Sequence, residues 1–381
     1  MTWLAPLVPS APGWAIDWPA IEAALGELVT AAELAATPQD ASYHSEGDVW
    51  THTRMVVDAL VADADWRALP VAERGVVFAA ALLHDVGKRD TTRHEPDGRI
   101  SSRGHSRRGD QLVRTWLWRA GAPFAEREQV CRLIRTHQVP FFGFGAPDAA
   151  HQVERRSLVM RNDLLTLVAL ADARGRRCAD PADRERLIEQ CELYRELCRE
   201  QGVLDRPRAF ASDHTRMLWL ESEGRRPADL LAHDDTTCEV IVMAGLPACG
   251  KDTWLARNHP SLPVVSLDAL REVLDIDAAE DQGSVIAAAR EQARVYLRAG
   301  QSFAWNATNV SDRLRAQLIE LMRAYRARVQ LVYCEVPAAE QARRNRARRE
   351  PVPASAIAKM IERWTVPWPD LAHQVTYAVE E

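Results

Sequence analysis

The sequence lacks the features of several protein classes. Its seven cysteines include no CxxC pair, so the sequence supports neither a zinc knuckle nor a disulfide framework. It has no run of about 18 apolar residues, the length that a membrane-spanning helix requires. A formal net charge of −6 argues against a surface coated in positive charge for bulk nucleic-acid binding.

The first sixteen residues also lack any charged side chain. A secretory signal would begin with basic residues and continue into a long apolar stretch, whereas Pro6, Pro9 and Pro12 interrupt this segment. We therefore predict a surface arm and a cytoplasmic protein without a membrane anchor.

The length and composition predict two soluble domains. The chain has 381 residues, of which 47% are hydrophobic and 27% are charged, and ordinary domain sizes make two domains the natural expectation. From about residue 17 to 200, apolar residues recur at three- and four-residue spacing, which is typical of helices. The clearest helical stretches are 48–63, 73–86, 105–120 and 162–174.

The pattern changes at about residue 238. Short valine-rich runs then alternate with helical segments, which is typical of a parallel sheet with crossover helices. The sequence thus predicts an all-α domain over residues 1–200, a connecting segment over 201–237 and an α/β domain over 238–381. The predicted strands are 238–245, 262–268, 302–308 and 328–336.

A glycine-rich stretch, GLPACGKDTW, follows the first of these strands and opens a helix. In this context backbone N–H groups and a helix N-terminus point at phosphate oxygens, while Lys251 supplies positive charge to the β and γ phosphates. The stretch therefore predicts a phosphate loop that binds ATP and Mg²⁺. Its binding residues are Gly245, Gly250, Lys251, Asp252 and Thr253.

Asp252 departs from the usual pattern, which has Ser or Thr directly after the lysine. A carboxylate is itself a good ligand for a hard cation, so Asp252 would hold the metal directly or through water. Thr253 would then take the hydroxyl role toward the phosphates.

Three arginines and one aspartate are further candidates in this half. Asp268 is predicted at the end of the next strand, where it would accept a proton from an attacking hydroxyl; its alternative role is to cap a helix. Arg271, one helical turn on, would grip an acceptor phosphate. Within RRNRARRE, residues 343–350, Arg346 and Arg348 would stabilise charge during phosphoryl transfer, although a solvated helix face explains such clusters too.

Four motifs of this half, GLPACGKDTW, SLDALRE, WNATNVS and RNRARR, resemble the P-loop kinases that phosphorylate 5′-hydroxyl ends of polynucleotides. The resemblance covers about residues 238–370. It implies that Asp268 is the general base and that Arg271 contacts the acceptor's phosphate.

The first half contains an adjacent His-Asp pair, His84 and Asp85, within ALLHDVGK, and we expect this pair on one buried helix. Together with His52 and Asp172 it would form a mixed nitrogen and oxygen shell for one divalent metal, and further histidines would extend the shell to a second. Each histidine by itself is better explained as a surface or hydrogen-bonded core residue than as a ligand; the His-Asp pair with four correctly ordered partners favours the metal site. The predicted ligands are His52, His84, Asp85, His105, His137 and Asp172, with Asp85 as the bridging and catalytic carboxylate.

This set resembles the HD phosphohydrolase superfamily over about residues 40–180. We expect Mn²⁺, Ni²⁺ or Co²⁺ at the site. Weaker candidates for gripping a substrate phosphate are His44, Lys88, Arg103 and Arg108.

Taken together, the two halves resemble the bacterial HD-Pnk end-healing enzymes along nearly the whole chain. This resemblance implies a bifunctional RNA repair protein that phosphorylates a 5′-hydroxyl end and removes a 2′,3′-cyclic phosphate or a 2′ or 3′ phosphate. Its partners would be nucleic-acid ends, with RNA preferred, and a homodimer and a functional link to an RNA ligase are further expectations.

Two alternatives remain open at this point. One is a nucleoside or metabolite kinase joined to a nucleotide phosphohydrolase. The other is a nucleotide-sensing regulatory module whose HD half binds without turnover.

Overall fold

The computed structural model describes residues 5–142, 148–223, 225–276 and 282–381. It divides into two compact units, Met1–Arg208 and Ala209–Glu381. The segment 201–237, predicted as a connection, is split between them, and it gives the second unit a helix at Asp213–Glu221. No helix in the described ranges is long and apolar enough to cross a membrane.

The first unit is helical apart from one small antiparallel strand pair. Strands β1 (Arg93–His94) and β2 (Ile100–Ser101) form that pair, and a short 3-10 helix covers Ala5–Leu7. The helices are α1 (Trp18–Leu25), α2 (Ala31–Ala35), α3 (Val49–Ala62), α4 (Ala64–Ala68), α5 (Val71–Leu83), α6 (Lys88–Thr91), α7 (His105–Arg119), α8 (Phe124–Thr136), α9 (Val139–Phe142), α10 (Ala149–Ser157), α11 (Asn162–Arg174) and α12 (Pro181–Glu200).

Helix α5 lies at the centre of this unit. Every residue from Gly75 to Leu83 is buried, and α5 packs against α3, α8 and α11. Apolar side chains such as Val56, Phe78 and Leu165 fill the space between these helices. A helix that is apolar on all sides is stable only inside a core, and α5 therefore places its C-terminal end deep within the unit.

The second unit contains a parallel sheet of five strands in the order β4-β5-β3-β6-β7. The strands are β3 (Cys238–Ala244), β4 (Val264–Ser266), β5 (Phe303–Asn306), β6 (Ala327–Glu335) and β7 (Gln374–Val379). The helices are α13 (Asp213–Glu221), α14 (Lys251–Asn258), α15 (Leu267–Leu274), α16 (Gly283–Arg298), α17 (Asp312–Ala324), α18 (Ala338–Arg346) and α19 (Ala354–Ile361).

The central strand β3 pairs with β5 on one side and with β6 on the other. Because all five strands are parallel, their carboxyl ends meet at one edge, where ligands bind in sheets of this kind. That edge carries the loops after β3, β4 and β5. Strand β7 lies at the far end of the sheet beside β6, and sequence patterning did not predict it.

Candidate active sites

The six predicted metal ligands meet inside the first unit. All six side chains are buried, and they come from five different helices or helix ends. His52 lies in α3, His84 and Asp85 follow α5, His105 begins α7, His137 follows α8 and Asp172 lies in α11.

The His-Asp pair was expected on a helix, and this detail is wrong. Helix α5 ends at Leu83, His84 caps it, and Asp85 lies in the following turn. On a continuous helix, successive side chains would point about 100° apart. The turn instead brings His84 Nε2 within 3.2 Å of Asp85 Oδ2.

Asp85 is the centre of the cluster. Its Oδ2 lies 3.7 Å from His52 Nε2, and its Oδ1 lies 3.4 Å from His105 Nε2. His52 Nε2 is in turn 3.1 Å from Asp172 Oδ1. One oxygen of Asp85 thus faces His52 and His84, and the other faces His105. A carboxylate that bridges two metals has this arrangement.

Backbone carbonyls fix the tautomer of three of the histidines. The Nδ1 atoms of His84, His105 and His137 lie 2.7, 2.9 and 2.7 Å from the carbonyl oxygens three residues earlier. Because a carbonyl only accepts, each Nδ1 carries a proton, and Nε2 is the atom that each ring turns toward the centre of the site. In a neutral imidazole this Nε2 offers a lone pair there.

Two of these lone pairs face each other. His105 Nε2 and His137 Nε2 lie 3.4 Å apart, and neither can donate while its Nδ1 proton is held by a carbonyl. In the part of the chain that the structure describes, His84 Nε2 also lacks a hydrogen-bond partner, although Asp85 Oδ2 lies 3.2 Å away. Buried polar atoms normally have partners, and a cation is the group that satisfies several converging lone pairs.

The protonation states of Asp85 and His137 suit metal binding, whereas His84 would have to give up a proton to a metal, because the charge of Asp85 outweighs burial and raises the pKa of His84. Burial by itself would raise the pKa of Asp85, but the charges of His84 and Lys88 hold it well below its usual range. Burial, together with the nearby His84 and His105, lowers the pKa of His137 to about 3. Deprotonated carboxylates and neutral imidazoles are the forms that bind divalent transition metals.

Two buried cations neutralise the carboxylates. Lys88 Nζ lies 2.7 Å from Asp85 Oδ2 and donates to Gln39 at 2.6 Å. Arg176 donates to Asp172 Oδ1 at 2.6 Å. Lys88 was a weaker candidate for binding substrate phosphate, and in this arrangement it faces a ligand carboxylate.

Glu46 is a site residue that sequence patterning missed. Its Oε1 lies 2.9 Å from His52 Nδ1 and 2.9 Å from His44 Nδ1, and its Oε2 accepts from the backbone of Arg177. In the sequence, the only indication of this role is that an acidic residue lies six positions before the candidate ligand His52. Such a spacing is too common to predict a contact. Glu46 fixes the ring of His52 as the carbonyls fix the other three.

The two remaining weak candidates lie outside the ligand set. Arg103 is exposed, and Arg108 donates to Asp90 at 2.6 Å. Both were weaker candidates for gripping the substrate phosphate. Arg103 lies just before α7, and Arg108 lies in its first turn.

A glycine holds two ligand-bearing helices together. Gly175 ends α11, just beyond Asp172, and a Cβ atom there would lie 2.5 Å from the backbone nitrogen of Val56 in α3. This close approach requires the absence of a side chain. It keeps Asp172 beside His52, four residues before Val56.

In the second unit the glycine-rich stretch forms a tight loop between β3 and α14. Gly245 has φ +136°, and a Cβ atom there would lie 2.2 Å from the Cys334 carbonyl oxygen. Gly250 is the N-cap residue of α14 and has no side chain that could bond to the first N–H groups of the helix. An uncapped N-terminus in this position is a site for a phosphate group.

Lys251 folds back over the loop. Its Nζ donates to the carbonyl oxygens of Gly245 and Leu246, at 3.0 and 2.9 Å. Thr253 and Asp252 are exposed in the first turn of α14, and Asp252 accepts a hydrogen bond from the side-chain amide of Asn306.

Asp268 lies in the first turn of α15, and β4 ends earlier than predicted, at Ser266. The cap of α15 is Ser266, whose hydroxyl accepts from Ala269 N, so Asp268 is not needed as a cap. Its side chain is 75% exposed and forms an ion pair with Arg271. Arg271 also donates to Gln282 at 2.6 Å.

The arginine that lies beside the phosphate loop is Arg344, and not Arg346 or Arg348. Arg346 and Arg348 are exposed and, within the described part of the chain, form no ion pair. Arg344 Nη1 would lie 3.7 Å from a Cβ atom on Gly250, and Gln341 donates to the loop carbonyl of Pro247 at 2.9 Å. Helix α18 therefore contacts the loop through the face that carries Gln341 and Arg344.

Comparison with known families identifies two domains in the chain. The HD-domain model matches residues 49–176, a range that includes every proposed metal ligand, and the AAA-domain model matches residues 240–367. The chain joins an HD domain to a P-loop kinase-like domain. The predicted fold class, a helical HD domain followed by an α/β kinase-like domain with a parallel sheet, is confirmed.

One curated relative shares part of the sequence. The A-adding tRNA nucleotidyltransferase of Deinococcus radiodurans is 38% identical over 99 residues, which are 26% of this chain and 22% of that protein. The chain thus spans about a fifth of the length of this relative.

Two solved structures resemble part of the chain. One, from Chloroflexus aurantiacus J-10-fl and assigned as a kinase, has 21% identity and a TM-score of 0.32, covering 38% of this chain and 86% of that one. The other, a sugar kinase from Janibacter sp. HTCC2649, has 19% identity and a TM-score of 0.29, covering 38% and 84%.

Proposed function

We propose that the protein is a bifunctional RNA end-healing enzyme. Its second unit would transfer phosphate from ATP to a 5′-hydroxyl end, and its first unit would remove a 2′,3′-cyclic phosphate or a 2′ or 3′ phosphate. The observation that carries the proposal is the presence, in one chain, of a converging six-ligand metal site and of a phosphate loop on the same sheet edge as an exposed carboxylate.

In the first unit, the six ligands fit one or two divalent metals, which would polarise a phosphate ester and lower the pKa of an attacking water. The chain's own groups prepare this site. Glu46 and the three carbonyls orient the imidazoles, while Lys88 and Arg176 keep Asp85 and Asp172 deprotonated.

In the second unit, Lys251 would leave the carbonyls of Gly245 and Leu246 and bind the β and γ phosphates of ATP. Asp268 would accept the proton of the attacking hydroxyl, and its exposure leaves it accessible to an acceptor. Arg271, held between Asp268 and Gln282, would bind a phosphate of that acceptor.

Three features favour a polynucleotide over a small metabolite as acceptor. Arg271 stands beside the proposed base, so a phosphate next to the reacting hydroxyl would find a partner there. Arg346, at the end of α18, and Arg348, just beyond it, are exposed and add positive charge to this region of the surface. The partial likeness to a tRNA nucleotidyltransferase also supports a nucleic-acid substrate.

A pair of assays tests this function. Labelled ATP with a 5′-hydroxyl oligonucleotide measures the kinase, and a 2′,3′-cyclic phosphate RNA with Mn²⁺, Ni²⁺ or Co²⁺ measures the phosphohydrolase. We expect both reactions, and we expect Arg271→Ala to raise KM for the oligonucleotide by about tenfold to a hundredfold, since a charged hydrogen bond contributes about 1.5–3 kcal/mol.

A bare nucleoside is the matched acceptor. Its KM should hardly change in Arg271→Ala, because it has no phosphate to contact the arginine. Equal phosphorylation of nucleoside and oligonucleotide by the unmodified protein, with equal effects of Arg271→Ala, would favour the small-molecule kinase instead.

A further inference from the structure

The phosphate loop of the second unit contains a carboxylate where P-loop proteins usually have a hydroxyl. Asp252 directly follows Lys251 in the first turn of α14. Its side chain is exposed, and among the described residues it forms no ion pair, since Lys251 bonds to backbone carbonyls instead. In the described ranges, the loop therefore carries a carboxylate with no ion-pair partner.

A neutral amide stands opposite this carboxylate. Asn306 is the last residue of β5, the strand next to β3, and its Nδ2 donates a hydrogen bond to Asp252 Oδ1. Only the nitrogen of the amide can donate, so the amide orientation is fixed by this bond. The oxygen of Asn306 is left available as an acceptor or ligand.

Asp252 and Asn306 exchange the positions at which P-loop proteins usually have a neutral and a charged magnesium ligand. In P-loop NTPases generally, a Ser or Thr of the loop and an aspartate on a strand hold the magnesium ion. Here the loop provides the carboxylate, and the strand end beside it provides the neutral group. Carboxylate and amide oxygens both suit a hard divalent cation, so the exchanged pair fits the ion as well as the usual pair does.

We propose that Asp252 and Asn306 form a divalent-cation site with exchanged ligands, in which the phosphate loop binds the cation directly and Asn306 orients the carboxylate. A carboxylate carries a full negative charge, whereas a hydroxyl does not. The loop should consequently bind a divalent cation before nucleotide arrives. This inference rests on the proposed function only through nucleotide binding by the loop, and not on the identity of the acceptor.

The test is a titration with Mn²⁺, followed by electron paramagnetic resonance, with and without ADP. The full-length protein carries Asp85→Ala in every sample, which weakens the metal site of the first unit. Whatever binding that unit retains is common to all samples and cancels in comparison. Glu320→Gln, on the exposed surface of α17, removes one negative charge elsewhere and is the matched control.

We expect Asp252→Ser to weaken Mn²⁺ binding without nucleotide by about tenfold or more, which corresponds to at least about 1.4 kcal/mol. Glu320→Gln should not change it. Asp252→Asn should act like Asp252→Ser, because it keeps the shape of the side chain and removes only the charge. Thermal melts of both variants check that the unit remains folded.

The double variant Asp252→Ser/Asn306→Asp restores the usual arrangement, with a hydroxyl on the phosphate loop and a carboxylate at the end of the strand. It should recover Mn²⁺ binding in the presence of ADP relative to Asp252→Ser alone. Unchanged Mn²⁺ affinity in Asp252→Ser, or a double variant that binds no better than the single one, would overturn the exchanged site. Failure of the unmodified protein to bind a fluorescent ATP analogue would instead overturn the proposed kinase.

Discussion

At the scale of single residues, the metal site depends on groups that fix protons rather than on the ligands alone. Three backbone carbonyls accept from the Nδ1 atoms of His84, His105 and His137, and Glu46 Oε1 lies 2.9 Å from Nδ1 of His52. Of these four groups only Glu46 is a side chain, and it is therefore the one that mutation can remove.

The first prediction concerns Glu46. Glu46→Gln removes the negative charge that makes His52 a better ligand, so we expect metal affinity to fall by about tenfold to a hundredfold, as for other groups that orient metal ligands. Metal content by elemental analysis and a metal titration measure this. Glu22→Gln, on the exposed side of α1, is the control, and equal metal content in the two variants would show that Glu46 only stabilises the fold.

The second prediction separates two neighbouring arginines of α18. Arg343 and Arg344 both pair with Glu340, but Arg344 also lies beside Gly250 of the phosphate loop. We expect Arg344→Ala to lower kcat/KM for ATP by about tenfold to a hundredfold, the effect of one charged contact. Arg343→Ala should change it little, because that side chain is 67% exposed; similar losses in both variants would assign the effect to the helix.

At the scale of elements, the sites depend on how closely helices and strands approach. Helix α11 reaches α3 only because residue 175 has no side chain. In the same way, the phosphate loop passes the end of β6 only because residue 245 has none. These contacts fix distances between ligands that are far apart in the sequence.

The third prediction tests the first of these contacts. Gly175→Ala should destabilise the first unit by about 1–3 kcal/mol, the usual cost of forcing atoms into a packed core, and should lower its metal content. Thermal melting and elemental analysis measure both. Gly26→Ala is the control: its Cβ atom would have no neighbour closer than 3.5 Å, so a slightly higher melting temperature is expected there. A melting temperature for Gly175→Ala as high as that of Gly26→Ala would show that α3 and α11 tolerate a wider spacing.

At the scale of the whole molecule, each unit has its own core and its own set of reactive groups. All six metal ligands lie before Arg208, and the phosphate loop, Asp268 and Arg271 lie after it. Each set of candidate residues therefore belongs to one unit.

The fourth prediction follows from this separation. Asp85→Ala should abolish phosphate removal and lower bound metal while 5′ phosphorylation remains within about twofold, since losing a ligand removes both a bond and balancing charge. Lys251→Ala should do the reverse. Both activities and the metal content are measured on the same preparations. Loss of both reactions in either variant, with the fold intact, would contradict two independent sites.

Much of the architecture could be predicted from local patterns. The helical stretches 48–63, 105–120 and 162–174 correspond to α3, α7 and α11, because apolar periodicity records which face of a helix is buried. Strand β3, which leads into the phosphate loop, was predicted because a short valine-rich run is typical of a buried strand. Strand β7 was missed because its residues are only partly buried, so their pattern is weak.

The sequence by itself determined the order of the two folds and the chemical types of the candidate ligands, because periodicity and short motifs are local properties of the chain. Only the tertiary structure decided which partners these residues have. Glu46 beside His52, Arg344 rather than Arg346 beside the loop, and Asn306 opposite Asp252 each join residues that separate elements bring together. Packing between elements sets such distances, and no local pattern records them.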